Sequence, residues 1–195
     1  MNSASTRRFL TIVLGAVLLS CLLGIALDLV TANTAVAYFS VHHPRIVASD
    51  DPWVLAVVWG VAASWWFGLI AGIIVAFINH RRREPLPPRR ILTWAALASA
   101  ILWLVMIAIL VTILILSSRI PLDQRRPTFE SDRRLVAVAM AHQFEYLLGG
   151  IALIIIAIAT GRARSTPPSN LTLPSTAEPT SSPPETPPPP PPTRM

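Results

Sequence analysis

The sequence predicts an all-α integral membrane protein, a four-helix transmembrane bundle with short loops and a disordered proline-rich C-terminal tail. Three observations lead there. Four long apolar stretches are bounded by charged residues; 53% of the 195 residues are hydrophobic against 13% charged; and after residue 164 the composition changes abruptly to Pro, Ser and Thr. A bilayer core about 30 Å thick takes roughly 20 apolar residues at about 1.5 Å each, which these stretches supply. With a mean hydropathy of +0.57, the chain has too little polar surface to wrap a soluble core of this size. Its apolar surface must face lipid.

The expected transmembrane domain covers residues 1–164, with spans at about 9–30, 53–79, 91–117 and 135–160. The first run, after Arg7 and Arg8, resembles a signal peptide; Leu18-Leu19-Ser20-Cys21 loosely resembles a lipoprotein cleavage box, and Ala35-Val36-Ala37 a small-residue cleavage site. However, the run continues unbroken to Leu27, longer than the usual ~7 to 15 residues of a signal core, so an uncleaved first span is expected. The single Cys21 lies inside it, which excludes a disulfide framework or a cysteine-based metal site within one chain.

The second span places Gly60, Ser64, Gly68, Gly72 and Ala76 at intervals of four, a ridge of small residues on one helical stripe. The first offers Ala16, Ser20, Gly24, Asp28 and Ala32 at the same interval. Ridges of this kind let two backbones approach closely, and close approach associates helices when lipid removes the hydrophobic drive. The two helices are therefore expected to cross at Ser20, Gly24, Gly60, Ser64, Gly68 and Gly72. The connection His80 to Arg90 is short, basic and broken by prolines, a turn that stops both flanking helices and meets anionic headgroups. Trp53 and Trp94 suit interfacial belts, whereas Trp65 and Trp66 fall mid-span, where an indole donor needs a partner.

The fourth span carries the main chemical clue. Residues 146–161 are uncharged and make only about 24 Å of helix, so the span must reach back past Glu145 to His142. His142, Glu145 and Tyr146 stand at i, i+3 and i+4, on one helical face. Ionisable groups at that depth are costly and usually face a bundle interior or a wet cavity. The first span puts Asp28 near the same membrane level, and the loop that follows holds His42 and His43. Asp28, His42, His43, His142, Glu145 and Tyr146 therefore form the candidate polar site. Two plainer roles compete: Asp28 ending its helix at headgroup level, and Glu145 pairing with Arg133 or Arg134. His, Glu and Asp also suit a divalent metal, but the chain has one histidine–glutamate pair where a bundle di-metal site takes two such pairs and two further glutamates. The expectation is that no cofactor is bound, with a divalent metal, or more remotely a haem held by two of the histidines, as the alternative.

The net charge of +6 rests entirely on arginine, with no lysine. Because arginines flank the spans, they read as orientation signals and headgroup contacts, not as a nucleic-acid surface. With the amino terminus cytoplasmic, the inner segments hold Arg7, Arg8, Arg81, Arg82, Arg83, Arg89, Arg90, Arg162 and Arg164; the outer loops hold Arg45, Arg119, Arg125, Arg126, Arg133 and Arg134. The larger set belongs inside, so both termini are expected in the cytoplasm, with the candidate site at the outer face of a cell membrane. The tail, residues 165–195, holds most of the 19 prolines and cannot bury apolar area. It is expected to be disordered, with polyproline II character suited to a spacer or docking ligand.

Catalytic signatures are absent: no His-Glu-x-x-His, no Gly-x-Ser-x-Gly, no phosphate-cradling glycine loop and no dinucleotide fingerprint. In layout alone the chain resembles small four-span bacterial inner-membrane proteins, and the likeness supplies no mechanism. The expectation is a non-enzymatic membrane protein, a scaffold or accessory subunit, with the lipid bilayer and a membrane-protein partner or second copy as its contacts. The alternative is a metal- or proton-handling protein, a transporter or enzyme subunit, that uses the polar site.

Overall fold

The computed structural model describes residues 3–118 and 129–163. Five helices follow in order: α1 (Ser3–Thr34), α2 (Val36–Ser40), α3 (Pro52–His80), α4 (Pro88–Ser118) and α5 (Phe129–Arg162); among the described residues there is no strand. All but α2 are long and apolar enough to cross a membrane, so the chain is a multi-pass helical membrane protein. The expected tail at 165–195 and the arginines of 119–126 lie outside the described residues.

Each long helix continues past its apolar window. At its C-terminal end α1 does so because Thr31, Asn33 and Thr34 return their side chains to the carbonyls of Leu27, Leu29 and Val30 at 3.2, 2.7 and 2.8 Å. Their polar groups are thus satisfied within the helix itself, and nothing forces it to stop at the membrane edge. The idea that Asp28 ends its helix is corrected by this: the residue sits inside α1 and is 4% exposed. After Thr34 the chain turns into the short α2, and Asp51 then opens α3. Its carboxylate accepts from the amides of Trp53 and Val54 at 2.8 and 3.4 Å, with Pro52 at the first helical position, where a missing N–H is harmless.

The principal seam is between α1 and α3. A Cβ on Gly60 would lie 2.5 Å from the backbone nitrogen of Ile25, and one on Gly68 would lie 2.7 Å from the Cα of Val17. Backbone meets backbone at these points, which only glycine allows. Along this crossing Gly24 faces Gly60 and Ser64, Gly68 faces Ser20, and Gly72 faces Val13 and Ala16. Ser20 adds a hydrogen bond, its hydroxyl donating to the Ser64 carbonyl at 2.8 Å. Interhelical bonds of this type are worth about 0.6 kcal/mol in a membrane, so packing contributes more than the bond does.

Two apolar clusters fill the ends of the bundle. Leu27, Phe39, Leu55, Met106 and Val138 pack where α2 lies, and Ile12, Val13, Val75, Leu86 and Ile91 pack at the other end. At that second end Asn79 donates to the Leu86 carbonyl and accepts from its amide, at 3.1 and 2.8 Å, which pins the proline-rich turn. Arg82 reaches the last carbonyls of α5, donating to Thr160 at 2.7 Å, to Gly161 at 2.9 Å and to Ala163. A cation there offsets the negative end of the helix and satisfies carbonyls that have no partner inside it.

Replacing Gly60 by Ala is expected to lower the thermal midpoint in detergent, because its methyl group has no space against Ile25. Gly150 has no atom within 4 Å of the equivalent position, so Gly150→Ala should leave the midpoint unchanged or raise it by the equivalent of about 0.5 to 1 kcal/mol. Equal behaviour of the two variants would show that the seam is not the source of stability.

Candidate functional site

The site is assembled from three places in the chain. Asp28 is carried by α1 one turn beyond Gly24, so the glycine seam fixes its height and direction. His142 comes from α5, and its Nε2 lies 3.0 Å from Asp28 Oδ1. The pair is buried, at 4% and 8% exposure. The third contribution is α2 with the turn after it, which brings Tyr38, Phe39 and His43 over the pair: the His142 ring lies 4.9 Å from that of Tyr38 and 5.7 Å from that of Phe39.

The hydrogen bonds of His142 restrict its proton state. Nδ1 lies 2.9 Å from the Val138 carbonyl oxygen, which can only accept, so Nδ1 carries a hydrogen and donates to it. The contact at Nε2 then holds one further proton. Either an imidazolium donates to a carboxylate, or the carboxyl donates to a neutral imidazole, and in both forms the two side chains together carry no net charge. A buried lone carboxylate would be very costly here, and this sharing removes that cost. Thr31 contributes a long contact of 3.5 Å to the same Asp28 oxygen while donating to Leu27.

Glu145 lies one turn along α5 and lines the same cavity. Among the described residues it forms no hydrogen bond or ion pair, so pairing with Arg133 or Arg134 is not its role. The cavity, about 280 Å³, is bounded by Asp28, His43, His142 and Glu145 together with the rings of Tyr38, Phe39, Trp59 and Tyr146. Burial, with Tyr146, Asp28 and Glu145 nearby, holds the Tyr38 phenol above its ordinary value, so it remains a neutral hydroxyl.

Of the residues singled out in the sequence, Asp28, His43, His142, Glu145 and Tyr146 are brought to one cavity, and His42 is not. His42 is exposed because the chain turns sharply at this point: the amides of Val41 and His42 both donate to the Ala37 carbonyl. Neighbouring side chains in such a turn diverge. His43 points inward instead, its Nδ1 donating to the Tyr38 carbonyl at 2.7 Å and its ring lying 5.0 Å from that of Trp59. Among the described residues no group of three or more His, Cys, Asp or Glu is arranged to hold a metal ion, and a single His–Asp contact is a poor metal site. Both mid-span tryptophans are substantially exposed, and Trp66 also stacks on Tyr146 with ring centres 6.4 Å apart.

Sequence reasoning missed Thr31, Trp59 and Gln143. Thr31 was accessible as the i+3 neighbour of Asp28; Gln143 and Trp59 carried no periodic signal. Neither a protein family, a curated protein nor a solved structure matches the chain, so the site is interpreted from its own chemistry.

Removing one partner of the buried pair, as Asp28→Ala or His142→Ala, should destabilise the bundle by about 3 to 5 kcal/mol in a detergent unfolding titration, because the other partner is stranded. The double variant Asp28→Leu/His142→Leu should recover most of that loss. A double variant as unstable as the sum of the singles would mean that the two side chains are not energetically coupled.

Proposed function

We propose that this is a proton-handling membrane protein whose exchanging group is Glu145, held beside a carboxylate–imidazole pair at one end of a four-helix bundle. The observation that carries this reading is the 3.0 Å contact between His142 Nε2 and Asp28 Oδ1, next to a carboxyl that forms no hydrogen bond among the described residues. Ionisable groups are rarely placed within membrane spans unless they act there, and the protein has concentrated three of them at one level. The pair can shift its proton between two forms without changing its total charge. Glu145 can then gain or lose a proton, and the titratable groups facing it are Asp28, His43, His142, Tyr38 and Tyr146.

The metal branch of this idea is set aside on the ligand count given above. The scaffold reading, in which the bundle serves assembly alone, is the one that survives if Glu145 does not exchange protons. We also place both termini in the cytoplasm, on the arginine distribution, which sets the site toward the outer face of the cell membrane.

A hydrophobic carbodiimide reacts with protonated carboxyl groups reached from apolar surroundings. In the detergent-purified chain it should modify Glu145, identified by mass spectrometry, at a rate that falls as pH rises, since only the protonated form reacts. No modification, or a rate independent of pH, would remove the proton-handling role. For orientation, reporter fusions after Arg90 and Arg164 should read cytoplasmic and one at Asp51 external; a cytoplasmic reading at Asp51 inverts the assignment.

A further inference from the structure

A second cavity adjoins the polar one. It is an apolar crevice of about 110 Å³ between α1, α3, α4 and α5, walled by side chains such as Leu19, Phe67, Leu102 and Leu153. The two cavities share Ala63, Ser64, Glu145 and Tyr146, so Glu145 stands at the boundary between them. On one side of it are polar groups and aromatic rings; on the other is hydrocarbon.

We infer that this paired cavity binds a single-chain cationic amphiphile, an alkylammonium whose head meets Glu145 and whose chain enters the crevice. Three features select that chemistry. Asp28 and His142 cancel each other's charge, which leaves the ionised Glu145 as the uncompensated charge of the cavity and makes an anionic head unfavourable. The rings of Tyr38, Phe39, Trp59 and Tyr146 give the head cavity the aromatic faces that attract ammonium groups. The apolar crevice, which shares Ala63, Ser64, Glu145 and Tyr146 with that head site, calls for an alkyl chain and disfavours a small hydrated cation.

The inference deepens the proton-handling reading and rests on it: the cation and the proton compete for one carboxylate. The competition gives the exchange of Glu145 a substrate class. Gly149 lies on the crevice wall with Phe67 3.5 Å from where its Cβ would be, so a larger side chain there fills the crevice without striking backbone.

The test uses the full chain in nanodiscs of zwitterionic lipid, with decyltrimethylammonium as the probe and tryptophan fluorescence as the readout. Wild type should show saturable binding that weakens about tenfold or more in Glu145→Gln and in Gly149→Leu, both with thermal midpoints near wild type. Tetramethylammonium and decanesulfonate should give no saturable signal. Partition into lipid is common to wild type and variants, so their difference isolates the site. Equal binding by Glu145→Gln, or equal binding of decanesulfonate, overturns the inference. If Glu145 still reacts with carbodiimide in a pH-dependent way while the probe shows no saturable binding, the ligand assignment fails alone; if that reaction is also absent, the proton-handling reading fails with it.

Discussion

The glycine seam between α1 and α3 is the constraint on which the rest of this protein depends. In lipid there is no hydrophobic gain from bringing two apolar helices together, so association must come from close packing and a few interhelical hydrogen bonds. At Gly24, Gly60, Gly68 and Gly72 the two backbones approach so closely that a single methyl group would collide. Because a contact of that kind tolerates neither sliding nor rotation, it locks the register of the two helices. Asp28 is one turn from Gly24, and Ser64 is one turn from Gly60. The position of Asp28 near the end of α1 is thereby set by packing between small residues.

The seam also explains where the polar cost falls. Once Asp28 is held inward and buried, a lone carboxylate in that position would be strongly destabilising. His142 answers this from α5, and the carbonyl of Val138 fixes the direction of its ring. A buried pair of this kind seldom adds net stability compared with two apolar side chains of similar volume. Its presence among buried side chains that are mostly apolar is therefore not explained by net stability alone.

Helix spacing made the frame of this site legible in the sequence, whereas its closure was not. The interval of four in both ridges, the shortfall of residues 146–161 against the bilayer and the i, i+3 relation of His142 to Glu145 are one-dimensional quantities, and each survives into three dimensions. The height of Asp28 and its place on the ridge facing α3 were readable from the same spacing, whereas the continuation of α1 to Thr34, past the expected end near residue 30, rests on the bonds of Thr31, Asn33 and Thr34 back to their own helix. The separation of His42 from His43 depends on a turn geometry set by two amides sharing one carbonyl. Trp59 enters the cavity wall because α2 folds back over α3, and nothing periodic encodes a short helix of five residues.

The asymmetry between the two ends of the bundle follows from these placements. At the turn side, Asn79 and Arg82 use their hydrogen bonds to close loops and cap α5, so the polar groups there are spent on structure. At the α2 side, Asp28 and His142 pair with each other, and the half-buried Glu145 beside them forms no hydrogen bond among the described residues. Structural polar groups in membranes are paired because nothing else can solvate them. Glu145 has neither role: it forms no hydrogen bond among the described residues and lines both the polar chamber and the apolar crevice, which distinguishes it from the polar groups that close loops, cap helices or pair with each other.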